Sequence, residues 1–240
     1  MIQDMEPFSF EKTQAIRAIA LEAVTLVKDG MIVGLGTGRS ASIFIEELVK
    51  RVKNENLTIS CVTTSLQSKA LIQGKIPLID EALQPLIDLT FDGADRADPK
   101  TFYLIKGGGG ALLREKLVAN RSKENIMLID ESKLTSPLQD FPIPIEIVEF
   151  GYKSTIERIC SLGYQGQLRT DFLTNKIIRS DNGNYIFDIT LTGPLENPLG
   201  MHQQLKQTLG VIETGLFLDT ATKIYVGKFD GTIKILESHE

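Results

Sequence analysis

Apolar positions at helical spacing open the chain. Ala15, Ile16, Ile19, Ala20, Ala23, Val24 and Val27 fall on one helical stripe that stops at Asp29-Gly30, which predicts a helix over residues 10–29. A short apolar run, Met31 to Leu35, then reads as a strand, and Ala41 to Arg51 as a second amphipathic helix. Leu57 to Val62 is the next strand, and Thr64-Ser65 can cap a helix reaching about Gln73. Ile76 to Ile79 and Ile87 to Phe91 are further short apolar runs. Phe102 to Ile105 reads as a buried strand, residues 110–120 as a helix that is apolar nearly all round, and Ile126 to Ile129 as another strand.

Strands alternating with helices imply a mostly parallel sheet with helices on both faces, a Rossmann-like α/β domain. Near Pro142-Ile143-Pro144 the pattern changes. Ile145 to Val148 is a strand and 152–162 a helix, followed by short strands at Gln167 to Arg169, Ile177 to Arg179 and Tyr185 to Ile189. Asp181-Asn182-Gly183-Asn184 is a hairpin turn signal between the last two. A helix near 198–209 leads to apolar strands at Val211 to Phe217, Ile224 to Val226 and Thr232 to Leu236. The expected division is therefore a catalytic α/β domain of residues 1–142 with 210–240, and a small α+β domain of residues 143–209.

Composition narrows the chemistry. At 240 residues the chain can bury a sizeable core, and 42% apolar with 24% charged residues is ordinary for a globular protein. A net charge of −5 with no basic block argues against sequence-independent nucleic-acid binding. No apolar run approaches a membrane span, and the acidic stretch Met1 to Glu6 lacks the features of a signal peptide, so a cytoplasmic protein is expected. Cys61 and Cys160 lie far apart in apolar runs and read as core thiols. The two histidines are His202 and His239. A His- or Cys-based metal site and a His-based triad are disfavoured, which leaves acid–base work to carboxylates, lysines and hydroxyls.

One stretch stands out: Lys106-Gly107-Gly108-Gly109-Gly110-Ala111-Leu112-Leu113-Arg114-Glu115-Lys116. Glycines let a backbone approach a ligand closely, and N–H groups at a helix N-terminus carry partial positive charge. Glu115 lies angularly among Ala111, Leu112, Val118 and Ala119, so partial desolvation should raise its pKa and suit a general base. The alternative is that Glu115 reaches solvent, or pairs with Lys116 or a more distant cation. Two other polar segments also follow strands: Gly34 to Ser40, and Asp92-Gly93-Ala94-Asp95. If the strands share one sheet, all three segments meet at its carboxyl edge.

The Gly34 to Ser40 segment fails as a dinucleotide fingerprint, because Arg39 stands where the third glycine belongs and no acid ends the next strand. It fails as a nucleotide P-loop as well. Its backbone amides with Thr37, Gly38, Arg39 and Ser40 suit one small phosphate; a plain capped turn is the alternative. Asp92 and Asp95 can make an Asx turn, accept from sugar hydroxyls, or hold Mg²⁺. No phosphate-chain motif accompanies them, so no metal is expected. Lys133, after a further strand, adds positive charge unless it is simply solvated.

These residues together resemble the type A ribose-5-phosphate isomerase family. The likeness rests on Gly34 to Ser40, Thr64-Ser65, Asp92 to Asp95, Lys106 to Lys116, Asp130 to Lys133 and Asp181 to Asn184, in matching order along nearly the whole chain. It implies an aldose–ketose isomerase of the non-oxidative pentose phosphate pathway, working without a cofactor through a cis-enediolate as a homodimer or homotetramer. It implies Glu115 as general base, Asp92 in ring opening, and Asp95 and Lys106 on hydroxyls and the developing oxyanion. Gly93, Ala94, Gly107, Gly108 and Gly109 are implied around the substrate, with Thr37 to Ser40 and Lys133 in its binding. The family usually reads Gly-Thr-Gly-Ser-Thr, where this chain has Arg39-Ser40, and often has an acid where Arg96 stands. Lys12 and Arg17 are the cations near the N-terminus. A non-catalytic sugar-phosphate sensor on the same fold would lack the base or the lysine, and both are present.

Overall fold

The structure, a computed structural model, describes residues 9–79 and 86–238; Met1 to Glu6 and His239 lie outside them. In chain order the elements begin α1 (Phe10–Ala23), β1 (Ile32–Leu35), α2 (Arg39–Glu55), β2 (Ser60–Thr63), α3 (Leu66–Ile72) and β3 (Ile87–Asp92). Next come β4 (Arg96–Ala97), β5 (Leu104–Ile105), α4 (Leu112–Asn120), β6 (Ser122–Asp130), β7 (Ile143–Ile147), α5 (Tyr152–Ser161) and β8 (Gly166–Leu168). The chain ends with β9 (Tyr185–Ile189), α6 (Pro198–Lys206), β10 (Val211–Thr214), β11 (Leu216–Phe217), β12 (Lys223–Gly227) and β13 (Ile233–Glu237).

Two compact units result. The first comprises Met1–Gly93, Val118–Leu134 and Ala221–Glu240, and the second Ala94–Leu117 and Thr135–Thr220. The boundaries differ from the expected 143–209 insert: residues 94–117, 135–142 and 210–220 belong with the second unit. The physical reason lies in β5. It pairs antiparallel with β4 and β11 in a sheet of its own and does not join the parallel sheet. No helix separates β3 from β5, and a parallel neighbour needs a crossover, usually a helix. Asp98 instead turns the chain back: its N–H donates to Tyr103 O (2.9 Å), and Phe102 N–H donates to Asp98 O (2.9 Å).

The first unit carries a six-stranded sheet in the order β13-β12-β6-β3-β1-β2, parallel except for β13. Ile16 and Ile19 of α1 and Phe44 and Leu48 of α2 pack with Val33, Leu35, Phe91 and Leu128 in one core. The Phe44 and Phe91 rings stack at 4.1 Å. On the other face Val118, from the last turns of α4, packs with Val62 and Ile87. Helices thus cover both faces, as the strand–helix alternation predicts. Ser9 caps α1, its hydroxyl accepting from Lys12 N–H, and Ser65 caps α3 by accepting from Ser68 N–H.

The second unit holds an antiparallel sheet in the order β10-β7-β9-β8 and the small sheet β11-β5-β4. The predicted hairpin turn forms at Ser180 to Asn184, where Ser180 N–H donates to Asn184 O (2.9 Å). The run at Ile177 to Arg179 makes isolated bridges only. Cys61 is buried, with its thiol pushed up to about 12 by burial, and Cys160 is half-buried; both thiols are free. No helix among the described residues is long and apolar enough to cross a membrane.

Candidate functional site

In the first unit, the β1–α2 turn lies on the carboxylate that ends β3. Asp92 Oδ1 accepts from Thr37 N–H (3.2 Å) and from Gly93 N–H (2.7 Å). Gly36 has no room for a side chain: a methyl there would run into the Asp92 carboxylate. Asp92 therefore accepts from the N–H of the next residue, Gly93, while it also supports the glycine turn through Thr37 N–H. Below the turn is a hydroxyl cluster. Thr37 Oγ1 is 2.7 Å from Thr64 Oγ1 and 3.4 Å from Ser68 Oγ, and Ser68 Oγ donates to Gly36 O. Ser68 is a contributor that the sequence reading missed; its position one turn after the Ser65 cap was the available signal.

Gly38 is the N-cap of α2, at φ +95°, a conformation that favours glycine. Gly38 has no side chain with which to cap this helix, and the first amides of α2 carry the positive end of its dipole. Ser40 is buried and Arg39 is exposed at the first helical position. Lys133 ends a 3₁₀ turn after β6 that Asp130 caps by accepting from Ser132 N–H (3.0 Å), and it is half-buried. Arg17 is held by Glu47 and Glu46 of α2.

In the second unit, Lys106 and Glu115 come together. Lys106 Nζ lies 3.2 Å from Glu115 Oε2, and both side chains are only 4% exposed. Glu115 is therefore buried, and the cation beside it is Lys106. Lys116 turns elsewhere: its ammonium donates to Glu213 Oε1 (2.9 Å), Thr214 O (2.8 Å) and Leu216 O (2.8 Å) and sits 4.6 Å above the Phe217 ring. Burial pushes the Lys116 pKa down against the opposing pull of Glu213. The glycine loop begins at the end of β5, with Lys106 N–H donating to Gly215 O (2.8 Å). Asp95 Oδ2 accepts from Gly108 N–H (2.8 Å), so the second aspartate of the Asp-Gly-Ala-Asp turn braces the loop. Gly107 and Gly110 stand at φ +94° and +80°. Arg96 donates to Asp95 O and Asp140 O (both 2.8 Å), which locks the turn beside it.

Three further residues hold this region. Arg169 donates to Gly107 O and Gly108 O and pairs with Asp188, and both members of that ion pair are buried. Arg114 donates to Asn182 Oδ1 (2.8 Å) and Asp181 O (3.0 Å), tying α4 to the hairpin turn. Buried Glu146 accepts from Ser180 Oγ (2.7 Å), Asn182 Nδ2 (3.1 Å) and Asn184 Nδ2 (2.9 Å) and so anchors the turn from below. The available signal was Asp188, a charge interrupting the apolar run of β9, while Arg169 directly follows β8.

The three segments thus do not all sit at one sheet edge. Gly36 to Ser40, Asp92 and Gly93 form one constellation in the first unit. Asp95, Lys106, Gly107, Gly108, Gly109 and Glu115 form another in the second, with Ala94 its first residue. Among the described residues no group of three or more His, Cys, Asp or Glu side chains stands ready for a metal ion.

A parallel sheet bearing a glycine–hydroxyl turn at a helix N-terminus, and a buried lysine–carboxylate pair beside a glycine loop, fit one class: an α/β enzyme. The family model of ribose 5-phosphate isomerase A (phosphoriboisomerase A) matches residues 60–231, and the chain belongs to this family of aldose–ketose isomerases. It is 45% identical over 225 residues to ribose-5-phosphate isomerase A of Protochlamydia amoebophila, covering 93% of this chain and 95% of that protein. The ribose 5-phosphate isomerase of Plasmodium falciparum superposes with a TM-score of 0.89 at 33% identity, covering 95% of this chain and all (100%) of the other. A D-ribose-5-phosphate isomerase in complex with phospho-erythronic acid superposes with a TM-score of 0.88 at 36% identity, covering 95% and 99% of the two chains.

Proposed function

We propose that the protein interconverts D-ribose 5-phosphate and D-ribulose 5-phosphate, in line with relatives named ribose-5-phosphate isomerase A, and serves the non-oxidative pentose phosphate pathway. The observation that carries the reading is the buried Lys106–Glu115 pair at the two ends of the glycine loop. Glu115 takes the proton from C2 of the open-chain aldose. The electron pair released forms the C1–C2 double bond, and the C1 carbonyl oxygen becomes an oxyanion. Lys106 and the loop amides stabilise that charge where it develops. Glu115 returns its proton to C1 while the C2 hydroxyl proton passes to the C1 oxygen, which completes the ketose. Asp92 assists ring opening and Asp95 accepts from sugar hydroxyls.

The phosphate is assigned to Thr37, Gly38, Arg39, Ser40 and Lys133. Amides at the start of α2 supply donors, and remote phosphate binding energy anchors the reacting carbons. The protein acts in the cytoplasm as a homodimer or homotetramer and takes no cofactor.

The direct test is conversion of ribose 5-phosphate by purified protein, with and without a chelator. Conversion insensitive to chelator is the expected result; no conversion overturns the reading. Loss of activity with chelator would overturn the cofactor-free reading. A finer test is Arg39→Ser, which restores the family's usual residue type. The expected outcome is a change in KM of roughly three- to tenfold with kcat nearly constant, the size of one exposed charge–phosphate contact. A change in kcat alone would remove Arg39 from phosphate binding.

A further inference from the structure

We infer that Arg169, locked by Asp188, is a positioning residue that turns the Gly109 N–H into an oxyanion donor for the enediolate. This rests on the isomerase reading above. Arg169 spends four of its five N–H donors on two jobs. Nε donates to Asp188 Oδ2 (2.9 Å) and Nη2 to Asp188 Oδ1 (2.5 Å), a bidentate pair. Nη1 donates to Gly107 O (2.9 Å) and to Gly108 O (2.7 Å). Arg169 is 6% exposed and Asp188 3%.

A trans peptide carries its C=O and N–H in opposite directions. Fixing two successive carbonyls with one guanidinium therefore fixes two successive amides. The first, Gly108 N–H, is consumed by Asp95 Oδ2. The second, Gly109 N–H, points away from Arg169, and Gly109 is exposed. Four glycines in a row have no side chains with which to hold a peptide plane, and each pays heavily in conformational entropy. An external clamp supplies the missing rigidity. A buried ion pair adds little net stability compared with an apolar pair of the same size. Its presence behind the loop is explained by the carbonyls it holds. A lysine could neutralise Asp188 but could not also fork onto two carbonyls in a fixed plane.

The test is the pair Arg169→Lys and Asp188→Asn, assayed in the full-length protein for kcat, KM and the Kd of phospho-erythronate, whose planar carboxylate mimics the enediolate. For Arg169→Lys, kcat should fall about 10- to 100-fold, approaching the loss of one oxyanion donor. KM should stay within roughly threefold, and phospho-erythronate should weaken in step with kcat/KM. Asp188→Asn, which keeps the shape of the pair, should shift the same quantities in the same direction by less. A merely structural role would lower the active fraction on site titration and leave the Kd of phospho-erythronate unchanged in the folded fraction; that outcome overturns the inference. So does a change confined to KM, or wild-type kcat in both variants. If Arg169→Lys does not fold, Asp188→Asn decides alone, and wild-type kcat and Kd there overturn the inference. Wild-type protein that fails to isomerise ribose 5-phosphate would instead sink the functional reading.

Discussion

Glu115→Gln should leave a folded protein that binds sugar phosphate and turns over at least ~10²- to 10⁴-fold more slowly, the range for loss of a positioned general base. The substitution keeps the side chain's shape and leaves an amide oxygen facing Lys106, 3.2 Å from the present carboxylate oxygen. The Kd of phospho-erythronate should change only a few-fold, because the phosphate and loop contacts remain. Near-normal kcat would remove Glu115 from the proton transfer. The amide cannot accept the C2 proton at neutral pH, so no residual rate is expected from this position. Direct titration of binding alongside the kinetics separates this outcome from misfolding.

Lys106→Met should be worse for the protein than Glu115→Gln, in stability as well as rate. It leaves a carboxylate that is 4% exposed without its ammonium. Removing one partner of a buried pair typically destabilises by about 3–5 kcal/mol. Phe217, whose ring lies 5.3 Å from the Lys106 ammonium, would lose that contact and keep Lys116 at 4.6 Å. Combining Lys106→Met with Glu115→Leu should recover most of that stability and none of the turnover, since both charges are then gone together. Chemical denaturation of the two single variants and the double variant measures this. A double variant no more stable than Lys106→Met would refute the pair as the source of the loss. Unchanged kcat in Lys106→Met would refute the oxyanion role.

Much of the first unit was legible in the sequence because helical and strand periods there are clean. Ile16 and Ile19, or Phe44 and Leu48, fall where a stripe facing a sheet must fall, and the core holds them there. The Lys106 to Lys116 stretch could be picked out because four consecutive glycines have few uses in a folded domain. What stayed hidden was sheet membership. Phe102 to Ile105 is apolar enough for a central strand, yet only Leu104 and Ile105 pair, and they pair antiparallel. The missing crossover between Asp92 and Leu104 was the physical clue, and it outweighs apolar content. The clamp residues were hidden for a different reason. Arg169 and Asp188 lie 19 residues apart, and their meeting depends on the β8–β9 register, which no local pattern specifies.

The Asp181 to Asn184 turn has a consequence for anyone who handles this protein. An exposed Asn-Gly hairpin is ordinarily where a chain accepts an inserted peptide or reporter. Here Glu146 grips the turn from inside, and Arg114, next to the proposed base, grips it from α4. An insertion at this turn would loosen the helix that aims Glu115, and a tag placed there would report on a crippled enzyme. The loop from Asp171 to Lys176 is the better host. Its hydrogen bonds run among its own residues: Asp171 N–H donates to Lys176 O (2.8 Å), and Asn175 N–H donates to Asp171 O (2.8 Å).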